Sequence, residues 1–150
     1  MIRIMFVCHG NICRSTMAEF LMKDFVKKLG RENDFYIQSS ATSTEEIGNP
    51  VHYGTARILD RLNIDYSKKR AVQLRRDDYD KYDYFVGMDE YNRHNMKRML
   101  GGDPEEKVSL LLDYTPTPRD VADPWYTGDF TTTYQDVVNG IQCFYKTITK

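Results

Sequence analysis

The stretch VCHGNICRS (Val7–Ser15) puts a cysteine, Cys8, six residues ahead of an arginine, Arg14. A thiolate is a strong nucleophile, and a planar guanidinium grips two oxygens of a phosphate at once. Between them lie His9, Gly10, Asn11, Ile12 and Cys13. Gly10 and Asn11 tolerate left-handed backbone angles, which lets such a loop turn successive N–H groups inward as an anion nest. A helical pattern opens near Arg14–Thr16 and is expected to add unpaired N–H groups and the positive end of a dipole. The same field favours thiolate over thiol at Cys8, and the Ser15 hydroxyl is expected to donate to the sulfur. The chemistry implied is attack by sulfur on a bound oxyanion, phosphoryl transfer above all.

Such a transfer needs an acid to protonate the leaving oxygen, and then a base to activate water against the phosphocysteine. The long irregular stretch Asp113–Thr133 supplies four aspartates, Asp113, Asp120, Asp123 and Asp129. Only Asp123 is followed by Pro124, which stiffens the backbone, and by Trp125 and Tyr126, which suit the walls of a slot for a flat ring. A loop this long within a domain is expected to be ordered and working rather than idle.

These residues have to be held by a fold. Ile2–Val7 reads as a buried strand and Thr16–Leu29 as a helix stopped by Gly30. Phe35–Ser40 reads as a second strand, Ala56–Leu62 as a helix and Arg76–Lys81 as a short one. Asp83–Met88 is a third strand, Asp89–Leu100 a helix, Val108–Leu112 a fourth strand and Tyr134–Ile148 a closing helix. The alternation predicts an α/β fold with a parallel sheet and helices on both faces; one domain spanning 1–150 is expected, its four strands in the flavodoxin-like order 2-1-3-4. Ligands of such sheets bind beyond the carboxyl ends of the strands, where the Cys8–Ser15 loop falls.

Composition narrows the field. With 21 basic and 22 acidic side chains the net charge is −1, which argues against bulk nucleic-acid binding. The apolar run Ile2–Cys8 is too short for a membrane span or a signal core. Three cysteines, Cys8, Cys13 and Cys143, are too few and too odd for a secreted disulfide framework, so reduced thiols in a cytoplasmic protein are expected.

Together, VCHGNICRS and ADPWY (Ala122–Tyr126) resemble the low-molecular-weight protein tyrosine phosphatases, and SSATSTEEIGNP and DYFVGMDEYN extend the likeness over nearly the whole chain. The resemblance implies Cys8 as nucleophile, Arg14 as phosphate clamp and Asp123 as acid then base. It implies that Asn11, Ser15 and Ser39 shape the loop, and that Cys13 can form a reversible disulfide with Cys8. No metal or organic cofactor is implied. The implied partners are phosphotyrosine proteins, with inorganic phosphate or another oxyanion in the site, and a monomer is expected.

The chain departs from the family pattern in places. Glu45 and Glu46 stand where many members carry an aromatic rim residue. SKKRA (Ser67–Ala71) stands where members often place a histidine of the loop network, and Trp125 replaces a common tyrosine. Two relatives of different chemistry stay in view. A phosphoarginine phosphatase tends to carry threonine where this chain has bulky, apolar Ile12. A thiol-linked arsenate reductase needs further relay cysteines. A phosphotyrosine-binding module without turnover would lack Cys8 or Asp123. Asp89 reads as a helix cap, His9 as a loop side chain beside the site, His52 and His94 as surface residues and Cys143 as core. Tyr126 is a phosphorylation target at the level of family analogy.

Overall fold

The N-terminal apolar run forms β1 (Ile2–Cys8), the strand on which the site is built. In the computed structural model, which describes residues 1–150, β1 lies between β2 (Phe35–Ala41) and β3 (Tyr84–Gly87), and β4 (Val108–Leu110) pairs with β3. All pairs are parallel, as the alternating pattern predicts, and the order is β2-β1-β3-β4, the one expected. The run is apolar throughout because both faces of β1 are covered. Ile4, Phe6 and Cys8 point to the core shared with α1 (Arg14–Lys28) and α5 (Phe130–Ile148), where they meet Met17, Leu21, Val137 and Phe144. Met5 and Val7 point the other way, into a smaller core with Tyr79, Phe85 and Met96 of α3 (Glu90–Met99). The period of two thus assigns Cys8 to the face of α1.

Two further helices complete the fold, α2 (Tyr53–Arg61) and the single turn α4 (Pro124–Thr127), with short 3-10 segments at Glu32–Asp34, Arg76–Lys81 and Leu111–Tyr114. Several boundaries differ from the sequence expectation for local reasons. The expected fourth strand stops at Leu110, because the Asp113 carboxylate takes the Leu110 N–H at 2.9 Å and closes a 3-10 turn. The last helix starts at Phe130 rather than Tyr134, because Asp129 caps it, accepting from the Thr132 N–H at 2.9 Å and the Thr132 hydroxyl at 2.6 Å. Cys143 is partly exposed, not core; its neighbour Phe144 takes the buried position.

The stretch 113–133 is ordered by specific ties. The Val121 N–H donates to the Met88 carbonyl at 2.8 Å, which fastens the loop to the end of β3. Arg119 forks the Asp136 carboxylate at 3.0 and 2.7 Å. Pro124 occupies the first turn of α4, where its missing N–H costs nothing, and Gly128 ends that turn at a φ of 72°.

Candidate active site

The loop from Cys8 to Ser15 is shaped by one residue. Asn11 alone in it takes a left-handed backbone, at a φ of 59°. Gly10 does not; it is small because a Cβ there would sit 3.3 Å from Cγ of Glu46. The Asn11 side chain is buried and fully engaged. Its Nδ2 donates to Ser15 Oγ at 2.8 Å and to Ser39 Oγ at 2.9 Å, and its Oδ1 accepts the Val72 N–H at 3.1 Å. The Asn11 N–H points at Cys8 Sγ, 3.3 Å away, and Ser15 Oγ lies 3.0 Å from the same sulfur. Because the Ser15 oxygen already accepts from Asn11, its own hydrogen is free for a Cys8 thiolate.

Beneath the loop lies a buried charge that the sequence did not single out. Glu19 is 2 % exposed and accepts the Ser39 hydroxyl at 2.5 Å. A carboxylate only accepts, so Ser39 must donate to it and present its lone pairs to Asn11. Lys23 reaches Glu19 at 2.5 Å from the helix surface. Lys69, in the departing SKKRA segment, lies 3.5 Å from Glu19 and donates to the Ser39 carbonyl at 2.8 Å. Lys69 thus joins the network through Glu19 and the Ser39 backbone. Burial lowers the Lys69 ammonium from the ordinary lysine value, with Glu19 opposing the shift.

The N-terminus of α1 faces the cavity unblocked. Cys13 at the cap position makes no side-chain capping bond, and no acidic residue occupies the first turn. The N–H groups of Gly10, Ile12, Cys13 and Arg14 find no acceptor within the protein. These donors and the helix dipole suit an oxyanion. Burial, then the neighbouring Cys8 and Asp123, push the Cys13 thiol up, so it stays protonated beside Cys8.

Arg14 is 2 % exposed and held from behind. Its Nη1 donates to Asp89 Oδ2 at 2.8 Å and to the Val121 carbonyl at 2.9 Å. Nη2 meets only Asp123 Oδ2, at 3.4 Å. The Nε–Nη2 edge therefore remains for a bidentate anion. Burial works against the guanidinium charge, but Cys8, Asp89 and Asp123 outweigh it and hold Arg14 above its ordinary value. Asp89 does cap α3, through Oδ1 on the Asn92 N–H at 2.8 Å, and it also aims Arg14 with its other oxygen.

A cavity of about 100 Å³ opens over Cys8. Its walls are His9, Ile12 and Cys13 of the loop, Glu45 and Glu46 on one side, and Asp123, Trp125 and Tyr126 on the other. The structure thus brings Cys8, Arg14 and Asp123 to one opening, with Asn11, Ser15 and Ser39 in support. Asp123 caps α4, its Oδ1 accepting the Trp125 N–H at 3.0 Å. At the rim His9 Nε2 lies 3.0 Å from Glu45 Oε2. No cluster of three His, Cys, Asp or Glu side chains is placed to hold a metal ion.

Sequence reasoning missed Glu19, the second role of Asp89 and the position of His52. Glu19 had a signal: it follows Ser15 by four residues, one helical turn along the face that points at the sheet. Asp89 had one too, since it lies just past the carboxyl end of β3, the strand next to β1, on the edge where ligands bind. His52 is not a free surface residue; it packs against Phe130 and Trp125.

The family model for low molecular weight phosphotyrosine protein phosphatases matches residues 3–150. The low molecular weight protein-tyrosine-phosphatase YfkJ of Bacillus subtilis is 38% identical, over 100% of this chain and 97% of its own. The YfkJ crystal structure superposes with a TM-score of 0.95 at 37% identity, covering 99% of this chain and 95% of that one. SP-PTP of Streptococcus pyogenes gives a TM-score of 0.87 at 41% identity, covering 97% and 92%. The low molecular weight phosphotyrosine protein phosphatase of Gallus gallus is 37% identical over 94% and 92%. With the anion cradle, the cysteine at its floor and the aspartate at its wall, these likenesses place the chain in the low molecular weight protein tyrosine phosphatase family.

Proposed function

We propose that this enzyme hydrolyses phosphotyrosine in proteins, and small aryl phosphates, through a phosphocysteine. The phosphate dianion lies against the free N–H groups of the loop and the Nε–Nη2 edge of Arg14. Cys8 thiolate attacks phosphorus, and the P–O bond to the ring breaks. Protonated Asp123 gives its proton to the departing phenolate, so tyrosine leaves neutral. Asp123, now a carboxylate, takes a proton from water as that water attacks the phosphocysteine. Phosphate and the Cys8 thiolate are released, and Asp123 is again protonated. The Asn11 N–H and the Ser15 hydroxyl stabilise the sulfur anion at the start and end of the cycle.

The observation that carries this reading is the foot of the cavity: Cys8 Sγ receives the Asn11 N–H at 3.3 Å and faces Ser15 Oγ at 3.0 Å, below an uncapped helix N-terminus. The wall residues Trp125 and Tyr126 support an aromatic substrate. Ile12 supports tyrosine over phosphoarginine, because its apolar side chain lines the cavity and offers a guanidinium no partner. Cys143 lies on α5 facing Asn139 Oδ1 at 3.8 Å, a poor setting for the relay an arsenate reductase requires. Cys13, protonated and next to Cys8, is the partner we assign for a reversible disulfide under mild oxidation. A thiolate nucleophile needs a reducing compartment, which favours the cytoplasm. Cys8, Arg14 and Asp123 meet in one cavity of a single chain, so the proposed reaction needs no group from a second copy.

The test is hydrolysis of phenyl phosphate, an alkyl phosphate and phosphoarginine, with Cys8→Ser as control. Aryl phosphate is expected to be preferred and Cys8→Ser to be inactive. Preference for phosphoarginine would replace the substrate assignment, and turnover by Cys8→Ser would remove the covalent mechanism.

A further inference from the structure

Asp123 reaches the cavity on a four-residue helix whose aromatic neighbours are exposed. His52 touches both that loop and the phosphate loop. Its backbone N–H donates to the Ile12 carbonyl at 2.9 Å, which ties it to the anion cradle. Its ring stacks on Phe130 at 5.2 Å and 10°, and meets the Trp125 ring edge-on at 5.6 Å. The ring cannot turn freely, because Nδ1 accepts the Gly54 N–H at 3.1 Å and caps α2. Phe130 is held in its turn by Gly54; a Cβ at that glycine would come within 2.4 Å of the ring. Trp125 then passes the constraint on, since its backbone N–H donates to Asp123 Oδ1 at 3.0 Å.

We propose that His52 is a positioning residue that sets Asp123 against the phosphate loop, through the contact of its ring with Trp125. The proposal rests on the reading of Asp123 as the general acid. It separates two jobs of one side chain: the nitrogen Nδ1 caps a helix, and the ring face and edge locate the acid. A structural residue would affect folding alone. A positioning residue affects most the substrates whose leaving group needs the proton.

The experiment compares kcat/KM for phenyl phosphate, a poor leaving group, with 4-nitrophenyl phosphate, a good one, alongside thermal melting. His52→Asn keeps a capping acceptor and loses the ring. It is expected to melt close to the wild type, to lose about tenfold on phenyl phosphate, and to lose less than about threefold on 4-nitrophenyl phosphate. His52→Phe keeps the ring and loses the acceptor; it is expected to melt lower with the wild-type leaving-group dependence. Trp125→Leu breaks the same contact from the exposed side and repeats the selective loss even if His52→Asn fails to fold. An equal loss on both substrates in His52→Asn and Trp125→Leu, or no loss in either, overturns the proposal. Asp123→Asn is measured beside them. Should it lack a leaving-group-selective loss, the acid assignment itself falls, and that failure is distinct from a negative result at His52 alone.

Discussion

Asn11, Arg14 and Ser15 are 1%, 2% and 0% exposed, whereas Trp125 and Tyr126 across the same cavity are 57% and 83% exposed. Asn11 closes the phosphate loop on its own Ser15 and ties it to two separate segments, at Ser39 and Val72. The loop that carries the proposed acid is tied behind Asp123 through the Val121 N–H on Met88, the Val121 carbonyl on Arg14 and the Ala122 carbonyl on Thr133, and ahead of it by one helical turn. The difference follows from what each wall does. A cradle that stabilises charge works best when its dipoles are fixed before the reaction. An acid that must admit a protein-bound ring, protonate it and let it go needs room to move. Substitutions in the first wall should therefore cost stability together with activity, and substitutions in the second should cost activity alone.

Cys8→Ser bears hardest on the comparison. It removes the nucleophile from the fixed wall while leaving the cradle, so turnover should fall by at least about 10⁴-fold with phosphate still protecting the protein against heat. Asp123→Ala should lower kcat/KM on phenyl phosphate by about 10²- to 10³-fold with little change in melting temperature. A large drop in melting temperature would erase the contrast between the walls. Asn11→Ala removes three hydrogen bonds and leaves alanine at a φ of 59°. Its expected cost is about 3 to 4 kcal/mol of stability, read from urea unfolding. Lys69→Met leaves Glu19 with Lys23 as its remaining cation and is expected to cost about 2 kcal/mol; no loss would show that the buried carboxylate does not need the second lysine.

The smallest effect concerns pH. Burial lowers His52 from its ordinary value, against the pull of Glu46. Between that lowered value and about 6.5 the unfolded chain holds more protons, so stability rises with pH across this window. It is complete above the ordinary histidine range and is lost as pH falls through the folded value. The urea midpoint of the wild type should therefore fall relative to that of His52→Asn between pH 7 and pH 5. A wild type that gains on the variant on acidification would reverse the assignment of a neutral imidazole.

The pattern of residues carried the buried wall better than the exposed one. Strand β1, the turn into α1 and the Cys8–Arg14 spacing are local, and local rules of periodicity and capping reached them. The parallel direction of the strands followed from the alternation of elements. Asp123 was separable from Asp113, Asp120 and Asp129 only by Pro124 and the aromatics after it. What lay beyond reach was long in sequence and short in space. Asp89 and Val121 meet Arg14 across separations of 75 and 107 residues. His52 looked like any polar residue before a helix, because the stack on Phe130 and Trp125 exists only after the C-terminal helix has packed. The start of that helix was missed for a simpler reason: Asp129 was weighed as an acid and not as a cap.

Those separations also bear on how the enzyme comes into being. Arg14 is buried and aimed by groups 75, 107 and 109 positions further along the chain. A ribosome makes the nucleophile early and the partners that complete its cradle late. Until the segment around Val121 has docked, the growing polypeptide carries a thiol beside an unaimed arginine, without a working catalyst around it. Dephosphorylation thus begins only when nearly all of this sequence is in place, and fragments that end before Val121 are expected to be inert.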